Sequence, residues 1–145
     1  MIRSVIILSF GFLLGANNSL FAQDKDSVYA FVDEEPVYPG GELAMMEFIQ
    51  TNVIYPDEAI LNGEQGTVYV EFVVGRTGSV SKVKIIRGAS ENLDAEAVRV
   101  IGLMPNWKPG KIEGEAVACR FTLPINFKVD KGMTKKAQKE AKKKK

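Results

Sequence analysis

The chain is 145 residues long, enough for one domain and not for two. It contains no histidine, which removes the commonest general base, the commonest metal ligand and the usual near-neutral pH switch. Cys119 is the only cysteine, so no internal disulfide forms and no cysteine-based metal site can be built.

Hydrophobic residues make up 46% of the sequence, sufficient for a globular core. Charge is unevenly placed. Residues 131–145 carry eight Lys against one Glu, and residues 1–130 carry eleven Lys or Arg against seventeen Asp or Glu. The body is therefore acidic and the tail basic. An acidic body lacks the basic patch that neutralises phosphates, so nucleic acid is not an expected partner.

Residues 1–22 have the layout of a secretory signal peptide. Arg3 supplies the positive start, Val5 to Ala16 the apolar stretch, and Ala22 a small residue at a cleavage point before Gln23. The expected location after cleavage is the periplasm. The alternative is an uncleaved inner-membrane anchor facing the periplasm. Against it, twelve helical residues span about 18 Å, whereas the hydrocarbon core is about 30 Å thick. No cysteine lies near the cleavage point to carry a lipid.

Residues 23–35 are acidic and read as a linker. Pro39-Gly40-Gly41 opens a helical pattern in which Leu43, Met46, Ile49 and Val53 form a stripe, widened by Met45 and Phe48. Asn52 and Tyr55-Pro56 close it, because the residue before a proline is pushed out of the helical region. Asp57 to Leu61 reads as one more helical turn, ended by Asn62-Gly63.

Gly66 to Val74 alternates, with Val68, Val70, Phe72 and Val74 on one face. Gly75 to Gly78 supplies a turn, and Val80 to Arg87 a second run with Val83 and Ile85 inward and Lys82 and Lys84 outward. The two form a β-hairpin. Ser90 to Met104 reads as a helix, capped by Ser90 or Asn92, with Leu93, Ala97, Val100, Ile101 and Met104 apolar. Pro105 stops it, and Trp107-Lys108-Pro109-Gly110 reads as a turn whose Trp folds onto the core.

In the last run Val117, Cys119, Phe121, Leu123, Ile125 and Phe127 alternate with Ala118, Arg120, Thr122, Pro124 and Asn126. Pro124 lacks an N–H, which suits an edge strand. The expected fold is α+β, in the order α-β-β-α-β, with a three-stranded antiparallel sheet and two helices packed on one face.

An ordered set of residues resembles the TonB C-terminal domain family, in its stand-alone, Bacteroidetes-like periplasmic form. The set runs through Tyr38-Pro39-Gly40-Gly41, Phe48, Asn52, Tyr55-Pro56 and Ala59. It continues through the valine-rich strand from Gly66 to Val74, Gly78, Leu93-Asp94 and Met104-Pro105. It ends with Trp107, Pro109-Gly110, Gly114 and Pro124-x-x-Phe127. The resemblance covers roughly residues 36–129 and frames a domain over residues 36–130.

The resemblance implies a non-enzymatic domain that takes a short extended segment of an outer-membrane transporter, or of another envelope protein, onto its sheet edge. Unpaired N–H and C=O groups make such an edge competent for an incoming strand. The partner-binding residues it implies are Tyr55, Pro56, Arg120, Thr122, Pro124 and Asn126. For Tyr55-Pro56 a helix stop packed on the core is an equal reading. A complete transducer of the family has a histidine-bearing membrane anchor and a proline-rich spacer. Here the linker has thirteen residues, at most about 45 Å extended, and no proline. Coupling to an energy-transducing complex is therefore not expected of this chain alone, and participation in transport is carried by the domain.

Two further readings stay open. The free edge alternatively serves a homodimer in a structural or assembly role. The tail from Lys131 to Lys145 is either a solvated, disordered or frayed segment, or a contact for an anionic envelope surface. No cofactor or metal is expected. Cys119 reads as a buried thiol.

Overall fold

The computed structural model describes residues 27–145. The signal-peptide reading and residues 23–26 of the linker lie outside the described residues. Nine elements follow in chain order: β1 (Val28–Tyr29), α1 (Gly41–Asn52), α2 (Asp57–Leu61), β2 (Gly66–Val74), β3 (Val80–Arg87), α3 (Glu91–Gly102), β4 (Gly110–Ile112), β5 (Glu115–Phe127) and α4 (Lys131–Lys143).

The alternation in β2 and β5 dictates a sheet with one apolar face, and the register locks it. β5 runs antiparallel to β2 from Val74↔Cys119 to Gly66↔Phe127, and β2 pairs with β3 through Val74↔Val80 and Tyr69↔Arg87. This places Val68, Val70, Phe72 and Val74 beside Leu123, Ile125 and Phe127 on one face, all buried. Burying each such side chain contributes roughly 1.5–3 kcal/mol. The hairpin closes through Gly78, whose φ of 88° suits a residue without a Cβ.

Helix α3 forms where its sequence calls for it. The Ser90 hydroxyl caps it, accepting from the Leu93 N–H at 3.3 Å. Leu93, Ala97, Val100 and Ile101 on one side of the helix are all fully buried. Trp107 folds onto the same core, edge-on to Tyr38 at 5.6 Å and against Phe121 at 5.1 Å.

The α+β class and the three-stranded antiparallel centre are as expected, but the sheet has five strands and is mixed. β1 adds in parallel to β5 through Val28↔Ala118 and Tyr29↔Cys119. Residues 107–110 are not a simple turn. Gly110 begins β4, which pairs back onto β5, and the reversal falls at Glu113-Gly114, with φ of 50° and 79°. Glu34 and Val37 bridge to Lys111 and Lys108. The second half of the stretch read as a linker is thus fastened along the sheet. Strands of two and three residues are too short to show a period in sequence, and the partner of β1 lies far along the chain at Ala118 and Cys119.

Two more differences concern helices. In α1 the core-facing residues are Ala44, Met45, Phe48 and Ile49, whereas Leu43 is 82% and Met46 48% exposed. The phase of the stripe is turned because Phe48 packs against Tyr38, at 5.9 Å. The basic tail is a helix, α4, capped by Asp130, which accepts from the Met133 N–H at 2.8 Å. It packs on α2 and buries Ala137.

Candidate functional site

The sheet order β1-β5-β2-β3 leaves two edges. At the β3 edge Lys82, Lys84 and Arg87 are exposed, Lys82 has a φ of 50°, and the β2–β3 register shifts between Glu71 and Val73. Charged residues and a bulge are devices that keep an edge from pairing.

The other edge belongs to β5. β1 covers it only at Ala118 and Cys119. From Arg120 to Asn126 no further strand of the described residues pairs with it, and the outward side chains Arg120, Thr122, Pro124 and Asn126 include no lysine. Pro124 lies opposite Tyr69 within the β2 ladder. A proline is tolerated there when its nitrogen faces away from the neighbouring strand. Thr122 and Asn126 share its parity, so their N–H and C=O groups belong to the open edge.

Helix α1 walls this edge. A groove of about 430 Å³ lies between Met46, Ile49 and Val53 on one side and Pro124 and Asn126 on the other, with Tyr55 and Met133 at its margins. A second groove of about 450 Å³ is lined by Tyr38, Met45, Trp107, Thr122 and Pro124. Pro124 lines both, so the two grooves adjoin at β5, and together they are called the trough. From Phe121 to Asn126 the strand is about 17 Å long at roughly 3.3 Å per residue. That length matches about six residues of extended chain.

Tyr55 has a defined structural role. Its ring stands edge-on to Phe127 at 5.7 Å, and its hydroxyl donates to the Glu64 carbonyl. Burial, reinforced by the Glu64 charge, pushes its phenol above the ordinary value. Pro56 caps α2 through its carbonyl, which accepts from the Ile60 N–H at 3.0 Å, and it does not line the trough. Of the six residues expected to meet a partner, Tyr55, Thr122, Pro124 and Asn126 line the trough. Arg120 is exposed on the solvent face upstream of it, opposite Val73.

The wall residues Met45, Met46, Val53, Trp107 and Tyr38 were not among those six. For Met45 and Met46 the signal in the sequence was the surplus of apolar side chains on α1, more than one buried stripe needs. Trp107 Nε1–H is buried with no acceptor among the described residues.

Among the described residues no group of three or more His, Cys, Asp or Glu side chains is placed to hold a metal. Cys119 is 1% exposed, and burial pushes its thiol up, with the Gly110 backbone contact opposing and the Glu35 charge reinforcing the shift. No helix of the described residues is long and apolar enough to cross a membrane.

Comparisons with known proteins bear on this arrangement. The family model described as Gram-negative bacterial TonB protein C-terminal matches residues 51–129. No curated protein matches the chain. Two solution structures of the Helicobacter pylori TonB C-terminal domain are similar to it. One is 25% identical, covers 64% of this chain and 88% of that one, and has a TM-score of 0.44. The other is 24% identical, covers 62% and 99%, and has a TM-score of 0.41.

Proposed function

The chain belongs to the family of Gram-negative bacterial TonB protein C-terminal domains, and from that premise we propose that it binds a short extended segment of an outer-membrane transporter, or of another envelope protein, by strand addition to β5. The family as a whole implies interaction between envelope proteins in TonB-dependent transport and a periplasmic place of work.

The observation that carries the proposal is the contrast between the two sheet edges. The β3 edge is bulged and lysine-bearing, whereas the β5 edge from Arg120 to Asn126 is unpaired, free of lysine and bordered by an apolar trough. Main-chain hydrogen bonds to the Thr122 and Asn126 backbone supply affinity, and the trough selects alternate apolar side chains of the guest. About six residues bury little area, so binding is weak and reversible. The role is one of recognition, with no catalytic step.

Amide shift mapping tests it. Peptides from the N-terminal segments of candidate transporters are expected to shift the amides of Arg120 to Asn126 together with Met46 and Tyr55. Peptides that leave all of these unmoved sink the proposal. The same open edge favours a second reading, a homodimer paired through β5. Light scattering separates the two, since a mass that stays monomeric at every concentration removes the dimer.

A further inference from the structure

Helix α4 divides into two faces. At 3.6 residues per turn, Met133, Thr134, Ala137, Glu140 and Ala141 fall on one side. Burial follows that division, with Ala137 buried and Thr134, Glu140 and Ala141 half-buried against α2. The six helical lysines, Lys131, Lys135, Lys136, Lys139, Lys142 and Lys143, all fall on the opposite side.

Among the described residues none of these lysines has a carboxylate partner. The Glu96–Arg99 contact is the only ion pair among the described residues, and even Glu140, one turn beyond Lys136, stays unpaired. Lys131/Lys135, Lys135/Lys139 and Lys139/Lys143 sit four apart, a spacing at which like charges destabilise a helix. A solvated tail gains nothing from this arrangement. The docked apolar face holds the helix in place while its unneutralised face points outward.

From this geometry we infer that α4 is a docking face for an anionic phospholipid surface, and that it holds the β5 trough about one helix diameter from that surface. The commitment to a membrane rests on charge and on position. Residues 27–130 carry nine Lys or Arg against fifteen Asp or Glu, and residues 131–145 carry eight Lys against one Glu. A molecule so polarised turns its helix toward an anionic sheet and its body away. Screening limits the attraction to about 8 Å at physiological salt, so only the outward lysines of α4 and its end contribute. Met133, at the start of α4, lines the groove beside Pro124 and Asn126. Met133 is on the docked side of α4, so seating the lysine face on a leaflet leaves the trough about 10 Å above it, within reach of a flexible segment presented by a membrane-embedded protein. This last step rests on the proposed strand addition; the lipid contact does not.

The test is partition of the exported protein into phosphatidylglycerol vesicles and into phosphatidylcholine vesicles. Each lysine close to an anionic surface strengthens adsorption about fivefold. The wild-type protein is expected to prefer the anionic vesicles by at least ~100-fold, and to lose that preference near 1 M salt, where screening falls to about 3 Å. Replacing Lys135, Lys136, Lys139, Lys142 and Lys143 by Gln should abolish the preference. Replacing the same five by Arg should keep it, which guards against a loss caused by misfolding. Helicity by circular dichroism should rise on the anionic vesicles as lysine repulsion is relieved. Equal partition into the two vesicles, or a Gln variant that binds as wild type does, overturns the inference. Amide shifts with a transporter peptide in lipid-free solution are expected to be unchanged in the Gln variant, so this inference and the strand-addition reading fail separately.

Discussion

The Ile54 backbone N–H donates to Glu96 Oε1 at 2.8 Å, joining the end of α1 to the middle of α3 across 42 positions of sequence. Arg99 completes the junction. It donates to Glu96 through Nε at 2.8 Å and Nη2 at 2.6 Å, and to the Asn52 carbonyl at 2.7 Å. The three contacts fix the turn from Asn52 to Tyr55, and hence the wall of the trough at Val53 and Tyr55.

Glu96 should therefore make the fold acid-sensitive. Burial pushes its carboxyl up, but the Arg99 hydrogen bonds, the Ile54 N–H and the Arg99 charge outweigh burial and hold it below the ordinary value of 4.5. A depressed carboxylate contributes stability above its unfolded value that is lost as pH falls through the folded one. Urea midpoints are expected to fall below about pH 4.5, and Glu96→Gln should remove that part of the decline. Glu96→Ala leaves the Ile54 N–H unpaired and should cost about 2 kcal/mol at pH 7. The Gln variant should cost less, because Arg99 is 41% exposed and its charge is screened.

Gly78 should tolerate no side chain. A Cβ there would collide with the Trp107 carbonyl, and the Trp107 N–H donates to the Gly78 carbonyl at 2.7 Å. The backbone also sits at a φ of 88°. Gly78→Ala is expected to lose at least about 2 kcal/mol from left-handed strain and displaced backbone together. Trp107 emission, shifted to the red as the indole leaves the core, reads the displacement directly. Gly102→Ala is the control, since a Cβ there meets nothing within 4 Å.

What could be read from sequence follows from where each element obtains its stability. β2, β5 and α3 bury one face against the centre, so Val68 to Val74, Val117 to Phe127 and Leu93 to Ile101 print their period in the chain. α1 has two apolar sides, one on the core at Met45 and Phe48 and one along the trough at Met46, and a single stripe could not be phased through both. α4 is held by Ala137 against α2. One small residue among lysines carries too little pattern to distinguish a docked helix from a solvated run. Within the site, Pro124 marked an edge strand by the donor it lacks. That Thr122 and Tyr55 share one trough depends on α1 and the segment at Tyr38 closing over β5, a tertiary fact.

Tyr55 joins the core to the trough, and two substitutions separate those roles. Tyr55→Phe removes the bond to the Glu64 carbonyl but keeps the ring on Phe127. It should cost about 1 kcal/mol and leave peptide binding unchanged. Tyr55→Ala also removes a wall of the groove, and should cost about 3 kcal/mol and weaken binding as well. The wild-type phenol resists ionisation, first because it is buried and then because of the Glu64 charge. Stability should therefore fall as pH rises above about 10, a limb shallower in Tyr55→Phe, where Tyr38, also pushed up by burial, still contributes.

The strand-addition reading makes its sharpest demand on Thr122. It faces Glu71 across the ladder, and its parity with Pro124 assigns its N–H to the open edge. Thr122→Pro removes that donor and sets a ring where a guest strand would lie, while the β2–β5 bonds of Phe121 and Leu123 remain. Thermal stability is expected to change by no more than about 1 kcal/mol, whereas affinity for an extended peptide should drop at least about tenfold. Leu123→Pro is the counterpart. Its N–H faces β2 and its side chain is 7% exposed in the core, so it should unfold the domain outright. A Thr122→Pro domain that stays folded and binds peptide as tightly as wild type would exclude the β5 edge as the docking strand, whatever the peptide.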